Sequence, residues 1–351
     1  MRTDDFLQKK CEWTRGEGPD SSIVMSTRVR LARNLSGHFF WNWADGKQQN
    51  DTMEKVLTAL KKTRVLKNSD FIKMKDTSLL DREFFIERHL MSKNHLVNVE
   101  NKSLVVNNEE IISLMVNEED HLRLQIIRSG KNIIDAWKIA ETLDTEISSY
   151  LNFAFSNKLG YLTACPTNTG TGLRASVMMH LPALQMTDQM ENVYDAISKL
   201  GLTIRGFYGE GSDASGNFFQ ISNQVSLGHS EVDILDNLER VVNKIIVREQ
   251  DTRMYLLNQK KQETVDGVFR SYGTLKSARI MTSMETIKLL SIVRMGVALG
   301  IVKDISINVL NEILLLSQPA HLQKLNKREL SSQERDIKRA DLTRKMLGGV
   351  E

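Results

Sequence analysis

The sequence predicts an α+β protein in which a mainly antiparallel sheet flanked by helices precedes an all-α C-terminal domain. Residues 104–128 alternate apolar and polar side chains in short runs separated by turn residues, which is typical of paired strands. Similar strand-like runs occur at 203–208 and 218–227. After Ser230, apolar residues recur at helical spacing almost to the end of the chain.

The elements before that region are assigned from periodicity and from turn residues. In the run at 218–227, Phe219, Ile221, Val225 and Leu227 are predicted to share one face of a strand. The other predicted strands lie within 104–128, at 161–165 and at 203–208. The predicted helices cover 52–66, 77–90 and 132–157, a segment beginning at 173, and a segment from about 186 to the cap residue Gly201.

Three parts of the chain follow from this pattern. Residues 1–22 are a lead segment, residues 23–253 form a mixed domain of strands and helices, and residues 254–351 form the helical domain. Ser230 with Asp233, and Ser331 with Glu334, have the spacing of capping boxes and predict two helix starts. The apolar stripes of residues 284–316 exceed what one helix pair needs, so we expect a homodimer.

Composition excludes several classes of protein. The 47 basic and 44 acidic residues leave a net charge of +3, and without a recognition motif this argues against direct binding of nucleic acid. Two cysteines form neither a disulfide framework nor a zinc set, which fits a reducing, cytoplasmic setting. The most apolar region, 289–316, is interrupted by charged residues, so no membrane span is expected.

The segment from Cys165 to Ser176 combines a proline, glycines, hydroxyl residues and an arginine. We interpret it as a loop that ends at a helix start, with Arg174 in the first helical turn, which is an arrangement suited to an anion. It is not a Walker loop, because no Gly-Lys-Ser/Thr sequence closes it. A nucleotide bound here would need arginines to neutralise its phosphates.

Arginines recur in strand and loop contexts elsewhere. Arg28 and Arg30 lie on one face of an extended segment, and Arg123 and Arg205 also flank strands. Each of them alone is an ordinary solvated or ion-paired residue. Together with Arg174 they predict a clamp for a polyphosphate, because the planar guanidinium binds phosphate oxygens two at a time.

Two acidic segments stand at strand ends. Glu118, Glu119 and Asp120 are consecutive and would repel one another unless a cation is close, and Glu210 lies between glycines. A polar turn explains both segments without any function. The functional hypothesis is a pair of carboxylates, one from each segment, that grips a single positive group.

The helix predicted after Ser331 places Arg335 and Arg339 on one face, with Asp336 three residues before Arg339. Two guanidinium groups there can take a phosphate while Asp336 takes a guanidinium. A solvated, ion-paired helix face is the alternative interpretation.

Taken together, the segments 26–33, 117–123, 165–176 and 205–210 resemble the phosphagen (guanidino) kinases, in order and in register. Within that family the chain is most similar to the bacterial protein-arginine kinases. The first motif begins at residue 26, so the N-terminal helical domain of small-guanidine kinases is expected to be missing, and Arg335 to Ala340 resemble a phosphoarginine-binding RDxxRA motif.

The resemblance implies an ATP-dependent kinase for arginine side chains in proteins, with Glu119 and Glu210 as catalytic carboxylates and Cys165 as a reactive cysteine near the guanidinium. Relatives often carry a hydroxyl residue where this chain has Ala164, so support for the thiolate rests on Thr167. ATP would be held by Ser26, Thr27, Arg28, Val29, Arg30, His89, Arg123, Arg174, Ala175, Ser176, Val177, Met178, Arg205, Gly206, Phe207, Tyr208, Gly209 and Glu210.

The resemblance also implies Mg²⁺, held mainly by nucleotide phosphates and water rather than by a metal site of the protein. It implies an allosteric phosphoarginine site at Arg335, Asp336, Arg339 and Ala340. Implied partners are protein substrates with exposed arginines, a zinc-finger activator, a Clp ATPase/protease that degrades the marked proteins, and a stress-response repressor that is inactivated. A kinase for free arginine and a non-catalytic phosphoarginine-binding adaptor remain the alternatives.

Overall fold

The computed structural model describes residues 4–206 and 215–349. The strands are β1 (Val24–Arg33), β2 (Asp70–Lys73), β3 (Ser103–Val106), β4 (Ile112–Val116), β5 (Leu122–Ser129), β6 (Phe155–Ser156), β7 (Gly160–Tyr161), β8 (Leu173–His180), β9 (Leu202–Gly206) and β10 (Phe218–Asn223). Within the described residues, eight of them form one sheet in the order β2-β3-β4-β5-β1-β8-β10-β9, and every neighbouring pair is antiparallel. The short strands β6 and β7 form a separate hairpin.

Helices alternate with these strands and then follow them. They are α1 (Asp4–Leu7), α2 (Gly46–Lys62), α3 (Leu79–Glu87), α4 (Ile133–Ser148), α5 (Pro182–Met186), α6 (Met190–Lys199), α7 (Glu231–Gln259), α8 (Lys261–Ser277), α9 (Ser283–Ala298), α10 (Ile307–Leu316), α11 (Pro319–Asn326) and α12 (Ser332–Met346). The predicted fold class, an antiparallel sheet flanked by helices with a helical C-terminal region, is confirmed.

The two faces of the sheet differ in polarity because successive side chains along each strand point to opposite faces. One face is apolar and packs under helices α2, α4, α6 and α7. Val29, Leu31, Ala175 and Val177 belong to this core and are fully buried. The opposite face carries the polar and charged positions of the same strands, and it is partly covered by the C-terminal helices, which pack on Met178 and Phe218.

The lead segment lies between the sheet and the C-terminal helices. A short 3-10 helix, Glu12–Thr14, buries Trp13 in the same apolar cluster as α8, α9 and α10. The buried guanidinium of Arg294 donates hydrogen bonds to the carbonyl oxygens of Ser21, at 2.7 Å, and Ser22, at 2.9 Å. The lead segment is therefore part of the packed structure.

Several predicted boundaries were wrong. The predicted helix from 173 is strand β8, because Leu173, Ala175, Val177 and Met179 alternate into the core with a period of two. The predicted helix 132–157 ends at Ser148, and of the predicted strand 161–165 only Tyr161, at the end of β7, is a strand residue. The strand predicted to reach residue 227 ends at Asn223, so Val225 and Leu227 are exposed.

The predicted helix starts were more accurate. Capping boxes at Ser230 and at Ser331 begin α7 and α12, as predicted. Helix α2 begins before the predicted residue 52, at a capping box formed by Asp45 and Gln48 that was not predicted. The last residues of α6 precede Gly201, whose φ of +69° is the left-handed conformation expected of a helix cap.

The boundary predicted near residue 253 falls inside the single helix α7, and the division into 1–22, 23–253 and 254–351 stays a prediction. The apolar residues of 284–316 are mostly buried against one another and against the sheet. They are therefore accounted for within one chain. Among the helices of the described residues, none is long and apolar enough to cross a membrane.

A buried ion pair joins the end of α3 to the turn before β4 and also contacts Cys11 of the lead segment, and its loss is expected to destabilise the protein. The Arg88 guanidinium donates to both carboxylate oxygens of Glu110, at 3.0 and 2.6 Å, and Cys11 Sγ also donates to Glu110. Arg88→Met leaves a buried charge uncompensated, so urea denaturation should show a loss of about 3–5 kcal/mol in the free energy of unfolding. The control Lys73→Met breaks the exposed pair with Glu54 and should cost at most about 1 kcal/mol. Equal losses in the two variants would contradict the structural role of the buried pair.

Candidate functional site

Four arginines lie side by side on the face of the sheet opposite the main core. Arg28 and Arg30 are on β1, Arg123 is on β5 and Arg174 is on β8. The strand register places Arg30 directly across from Arg174, and Arg123 across from Ala32. The clustering predicted from sequence is therefore present, and it arises because three neighbouring strands each turn an arginine to the same side.

The guanidinium groups of this cluster repel one another. Burial, together with the charges of Arg123 and Arg174, lowers the pKa of Arg28 to about 10. Burial and the neighbouring arginines hold the pKa of Arg30 well below its ordinary value. The Nε atom of Arg30 is buried and has no hydrogen-bond partner among the described residues. Such an arrangement stabilises a bound anion, which supplies the missing partner and offsets the repulsion.

The fifth predicted clamp residue, Arg205, lies on the edge strand β9, across from Gln220 of β10. Its side chain is half-buried, on the same side of the sheet as the four arginines. Gly206 ends that strand opposite Phe219. The predicted residues Phe207, Tyr208, Gly209 and Glu210 lie outside the described residues.

The three consecutive acids have three different environments. Glu118 is buried and receives hydrogen bonds from Arg123 at 2.7 Å and from Ser92 at 2.5 Å. Burial raises its pKa, but the Arg123 charge and these hydrogen bonds outweigh that effect and lower the pKa of Glu118 to about 2. Glu118 is thus a fixed counter-charge of the arginine cluster, a role that was not predicted from the sequence.

Asp120 has a structural role beside it. Its carboxylate accepts hydrogen bonds from Asn34 Nδ2 at 2.6 Å and from the backbone N–H of Ala164 at 2.7 Å. Asn34 also donates to the carbonyl of Leu162 and accepts from the backbone N–H of His121. This network joins the end of β1 to the segment that precedes Cys165. Sequence reasoning missed Asn34, since only folding brings its partners together.

Glu119 is the acid that remains available. It is half-buried, and among the described residues its carboxylate has neither a hydrogen bond nor an ion pair. It lines a cavity of about 90 Å³ together with Arg30, Arg123, Arg174 and Cys165. Burial and the charges of Asp120 and Glu118 raise the pKa of Glu119, and Arg123 opposes them. A carboxylate with a raised proton affinity therefore faces an anion-binding cluster across a small cavity.

Cys165, Thr167, Asn168 and Gly172 form one wall of this cavity. The Cys165 Sγ atom is 3.0 Å from the hydroxyl oxygen of Thr167, the contact expected from the sequence. The segment contains only a three-residue 3-10 helix, Pro166–Asn168, and Arg174 lies on strand β8 instead of in the first turn of a helix, so that prediction was wrong. Gly172 has a φ of +67°, and a Cβ there would lie 2.5 Å from Arg33 Nη1 and 2.6 Å from the carbonyl oxygen of Ala32. The glycine serves close packing against β1.

Arg33 connects the same loop to helix α4. Its guanidinium forms a buried ion pair with Asp144 of α4, at 2.8 Å, and donates to the carbonyl of Thr171 at 2.9 Å. It also lies 3.5 Å from the ring centroid of Tyr161. Arg33 therefore differs from Arg28 and Arg30, because it connects the loop to the core instead of facing the cavity.

A second, larger cavity of about 670 Å³ adjoins the first along β1. Arg28 lines the larger cavity. It is two residues from Arg30 on the same face of β1, so their Cα atoms are about 7 Å apart. His89, Gln220 and the buried lead-segment residue Trp13 also line it. The volume is in the range of small-molecule sites. Sequence reasoning included His89 but missed Trp13 and Gln220.

His89 is neutral in this environment. Burial and the charge of Arg28 lower its pKa to about 3. Its ring packs edge-on against Trp13, with ring centroids 4.8 Å apart. Its backbone has a φ of +60°, and its carbonyl accepts a hydrogen bond from Gln125 at 2.7 Å. His89 and Trp13 thus give the larger cavity an aromatic, uncharged patch beside Arg28.

The other residues predicted to bind a cofactor occupy two kinds of position. Ser26, Ser176 and Met178 share the face of the arginine cluster, although Met178 is buried under the C-terminal helices. The side chains on the opposite face are Thr27, which donates to the carbonyl of Gly130, and the core residues Val29, Ala175 and Val177. These four side chains line neither cavity, and they anchor strands β1 and β8 to the core instead.

The RDxxRA-like motif, residues 335–340, is only partly exposed to solvent. Arg339 is 1% exposed, and Ala340 is fully buried. The Arg339 guanidinium donates to the carbonyl oxygens of Ser317 and Met281, both at 2.9 Å, and to Asp336 at 2.5 Å. Arg335 is half-buried and donates to the carbonyl of Leu330. The two arginines predicted to share one helix face therefore differ in exposure, since Arg339 is buried in the packing of the C-terminal helices and Arg335 is half-buried.

Comparison with protein families matches most of the chain. The model of the ATP:guanido phosphotransferase C-terminal catalytic domain matches residues 51–252. The model of the protein-arginine kinase McsB C-terminal domain matches residues 261–351. The chain is also similar over nearly its whole length to proteins described as protein-arginine kinases. That of Halothermothrix orenii is 47% identical over 348 residues, with 99% of each chain covered. That of Brevibacillus brevis is 45% identical over 355 residues, with 100% of this chain and 99% of the relative covered.

Two solved structures share the fold. A duplicated taurocyamine kinase from Schistosoma mansoni with bound transition state analog components superimposes with a TM-score of 0.62 and 28% identity, covering 67% of this chain and 34% of that chain. A lombricine kinase gives a TM-score of 0.59 and 25% identity, covering 67% of this chain and 68% of that chain. This chain spans about a third of the length of the duplicated enzyme.

The role of Gly172 gives a testable consequence for the loop that carries Cys165. Gly172→Ala should lower the free energy of unfolding by about 1–3 kcal/mol beyond the backbone penalty, because the added methyl overpacks the contact with Arg33. It should also speed the labelling of Cys165 by a thiol reagent. Gly201→Ala is the matched control, since Gly201 has a similar φ of +69° and a Cβ added there would have nothing within 4 Å. The control should lose only about 1–2 kcal/mol, and identical behaviour of the two variants would contradict the packing role.

Proposed function

Because this chain belongs to the protein-arginine kinases of the ATP:guanido phosphotransferase family, and is therefore a phosphotransferase that uses ATP, we propose that it transfers the γ-phosphoryl group of ATP to arginine side chains of proteins. The observation that carries the proposal is the cavity in which Glu119 faces Arg30, Arg123 and Arg174. A carboxylate on one side fits a guanidinium, and arginines on the other side fit the phosphates of ATP, so the γ-phosphoryl group lies between its donor and its acceptor.

The arginine cluster suits the triphosphate. Its charges are fixed on strands, so little reorganisation is needed when negative charge moves from the γ-phosphate toward ADP. The base and ribose would lie in the adjoining larger cavity, beside His89, with Arg28 between the two cavities. The residues proposed to hold ATP are those named from the resemblance, with the side chains of Thr27, Val29, Ala175 and Val177 supporting the strands from the core.

Mg²⁺ would be held by the nucleotide phosphates and water, and when bound it neutralises part of their charge. Among the described residues, no group of three or more His, Cys, Asp or Glu side chains has the arrangement of a metal site. The arrangement of the arginines fits a nucleotide that brings its own cation.

Glu119 would orient and then deprotonate the substrate guanidinium. A guanidinium has a pKa of about 13.8 and its lone pairs are delocalised, so a free carboxylate does not remove its proton in the ground state. Held in line with the γ-phosphorus, one substrate nitrogen forms the N–P bond while the P–O bond to ADP breaks. The proton released from that nitrogen passes to Glu119, whose raised pKa favours this step. We propose Glu210 as the second carboxylate and Cys165 as a further contact to the guanidinium.

Further parts of the proposal come from the resemblance. They are activation by a zinc-finger protein, marking of proteins for a Clp ATPase/protease, inactivation of a stress-response repressor, and an allosteric response to phosphoarginine at residues 335–340. A cytoplasmic location, which the two cysteines favour, is proposed with them. A homodimer belongs to the same proposal. Its contact surface would have to involve residues outside the buried stripes of 284–316, such as the exposed Tyr255 and Phe269.

The proposed reaction is tested by incubating the protein with ATP and either an arginine-rich protein or free arginine. We expect acid-labile phosphate on arginine nitrogen in the protein substrate, identified by mass spectrometry of samples kept at neutral to basic pH. Phosphate that appears only on free arginine would favour the small-guanidine alternative. Binding of phosphoarginine with no transfer to either substrate would favour the adaptor.

Glu119→Gln tests the carboxylate mechanism. The amide keeps the size of the side chain but accepts no proton, so kcat should fall by about 10²–10⁴, while ATP affinity measured by calorimetry stays near that of the wild type. Glu210→Gln is expected to behave in the same way. Glu109→Gln is the control, because Glu109 is exposed on the turn before β4. Full activity in both Glu119→Gln and Glu210→Gln would exclude this mechanism.

A further inference from the structure

The larger cavity has walls from three parts of the chain. The sheet and the segment after α3 supply Arg28, Gln220 and His89, and the lead segment supplies Trp13. Helix α3 adds Glu83, Ile86 and Glu87, and a further wall comes from the helical C-terminal region. That wall consists of Ser283, Leu314, Leu315, Gln318 and Pro319. A nucleotide base in this cavity would therefore contact the C-terminal helices as well as the sheet.

Two short segments of this C-terminal wall are held by one side chain. Arg339 is 1% exposed and donates from Nε to the carbonyl oxygen of Ser317, at 2.9 Å, and from Nη1 to the carbonyl oxygen of Met281, at 2.9 Å. Ser317 directly precedes Gln318, and Met281 is two residues before Ser283. The carbonyl of Asp336 in turn accepts the backbone N–H of Met281. Helix α12 therefore fixes the segments around Met281 and Ser317 through hydrogen bonds to their backbones.

The carboxylate of Glu87, from helix α3, connects the other side of the cavity to this C-terminal wall. Glu87, at the end of α3, lines the cavity and accepts hydrogen bonds from the backbone N–H groups of Ala320, at 2.7 Å, and His321, at 2.9 Å. Burial raises the pKa of Glu87 to about 7, against the lowering effects of these amides and of the charges of Arg339 and Arg335. The charges of α12 therefore reach a residue that faces the cavity.

We propose that Arg339 is a positioning residue for the nucleotide: it holds the segments 281–283 and 317–319 that form the C-terminal wall of the cavity. This inference rests on the proposed function, since it takes the cavity lined by Arg28 and His89 as the place of the base. It assigns to an arginine of the RDxxRA-like motif a task other than contact with phosphoarginine. It also makes the helical region a part of the nucleotide site.

The experiment compares two buried arginines of the same helix in the full chain. Arg339→Lys keeps the charge but replaces two separate donor atoms, Nε to Ser317 and Nη1 to Met281, with one ammonium nitrogen, so we expect at least one of the two contacts to be lost. Arg344→Lys is the matched control, because Arg344 is also buried and donates to a C-terminal carbonyl, that of Ala278, which is neither a lining residue of the cavity nor part of the segments 281–283 and 317–319. ATP affinity is measured by calorimetry, kcat at saturating ATP by phosphoryl transfer, and stability by thermal unfolding.

Arg339→Lys is expected to raise the Kd for ATP roughly tenfold, the size associated with the loss of one charge-assisted hydrogen bond, and to change this Kd by a larger factor than kcat at saturating ATP. Arg344→Lys should lower Tm without changing the Kd. An unchanged Kd in folded Arg339→Lys, or equal changes in both variants, would overturn the inference.

A second variant covers the case in which Arg339→Lys does not fold. Gln318→Ala alters the wall itself and should also raise the Kd for ATP, and an unchanged Kd would again overturn the inference. The proposed function fails separately: it is rejected if the wild type phosphorylates no arginine, whatever the affinities of the variants. A wild type that phosphorylates arginine while both variants keep its ATP affinity rejects only the role of Arg339.

Discussion

The repulsion among Arg28, Arg30, Arg123 and Arg174 is the constraint on which the site depends. Like charges at this spacing oppose folding, and Glu118 is the buried counter-charge that the structure places beside them. The opposite face of the same strands offsets this cost, because Val29, Leu31, Ala175 and Val177 are locked into the main core. The alternation of a strand thus fixes each arginine through its buried neighbours. The site is arranged before any anion arrives, which is the condition for electrostatic stabilisation of a moving charge.

Features set by neighbouring residues in the sequence were predictable. The alternation of Arg28 and Arg30 with apolar residues shows which face they occupy, and the capping boxes at Ser230 and Ser331 locate two helix starts to the residue. The contact of Cys165 with Thr167 also follows from their separation of two. The resemblance to phosphagen kinases added the grouping of the distant motifs, which spacing alone does not provide.

Features set by long-range packing were not predictable in this way. Strand β8 contains Leu, Ala and Met residues that are equally common in helices, and only its place between β1 and β10 makes it a strand. Asn34 meets Asp120 across 86 residues, and the cavity wall brings Trp13 and Gln318 together from opposite ends of the chain. The apolar stripes of 284–316 suggested a second copy because the sequence does not reveal that the sheet and lead segment already cover them.

The position of Trp13 has a practical consequence. Its indole lies in the wall of the larger cavity, donates to the carbonyl of Arg88, and packs against the His89 ring. Indole emission responds to the polarity and motion of its surroundings, so a ligand entering the cavity displaces water next to an intrinsic fluorophore. Replacing Trp41, Trp43 and Trp137 with phenylalanine would leave Trp13 as a single optical reporter in the chain. Occupancy of the cavity could then be followed in real time, without a label and independently of turnover.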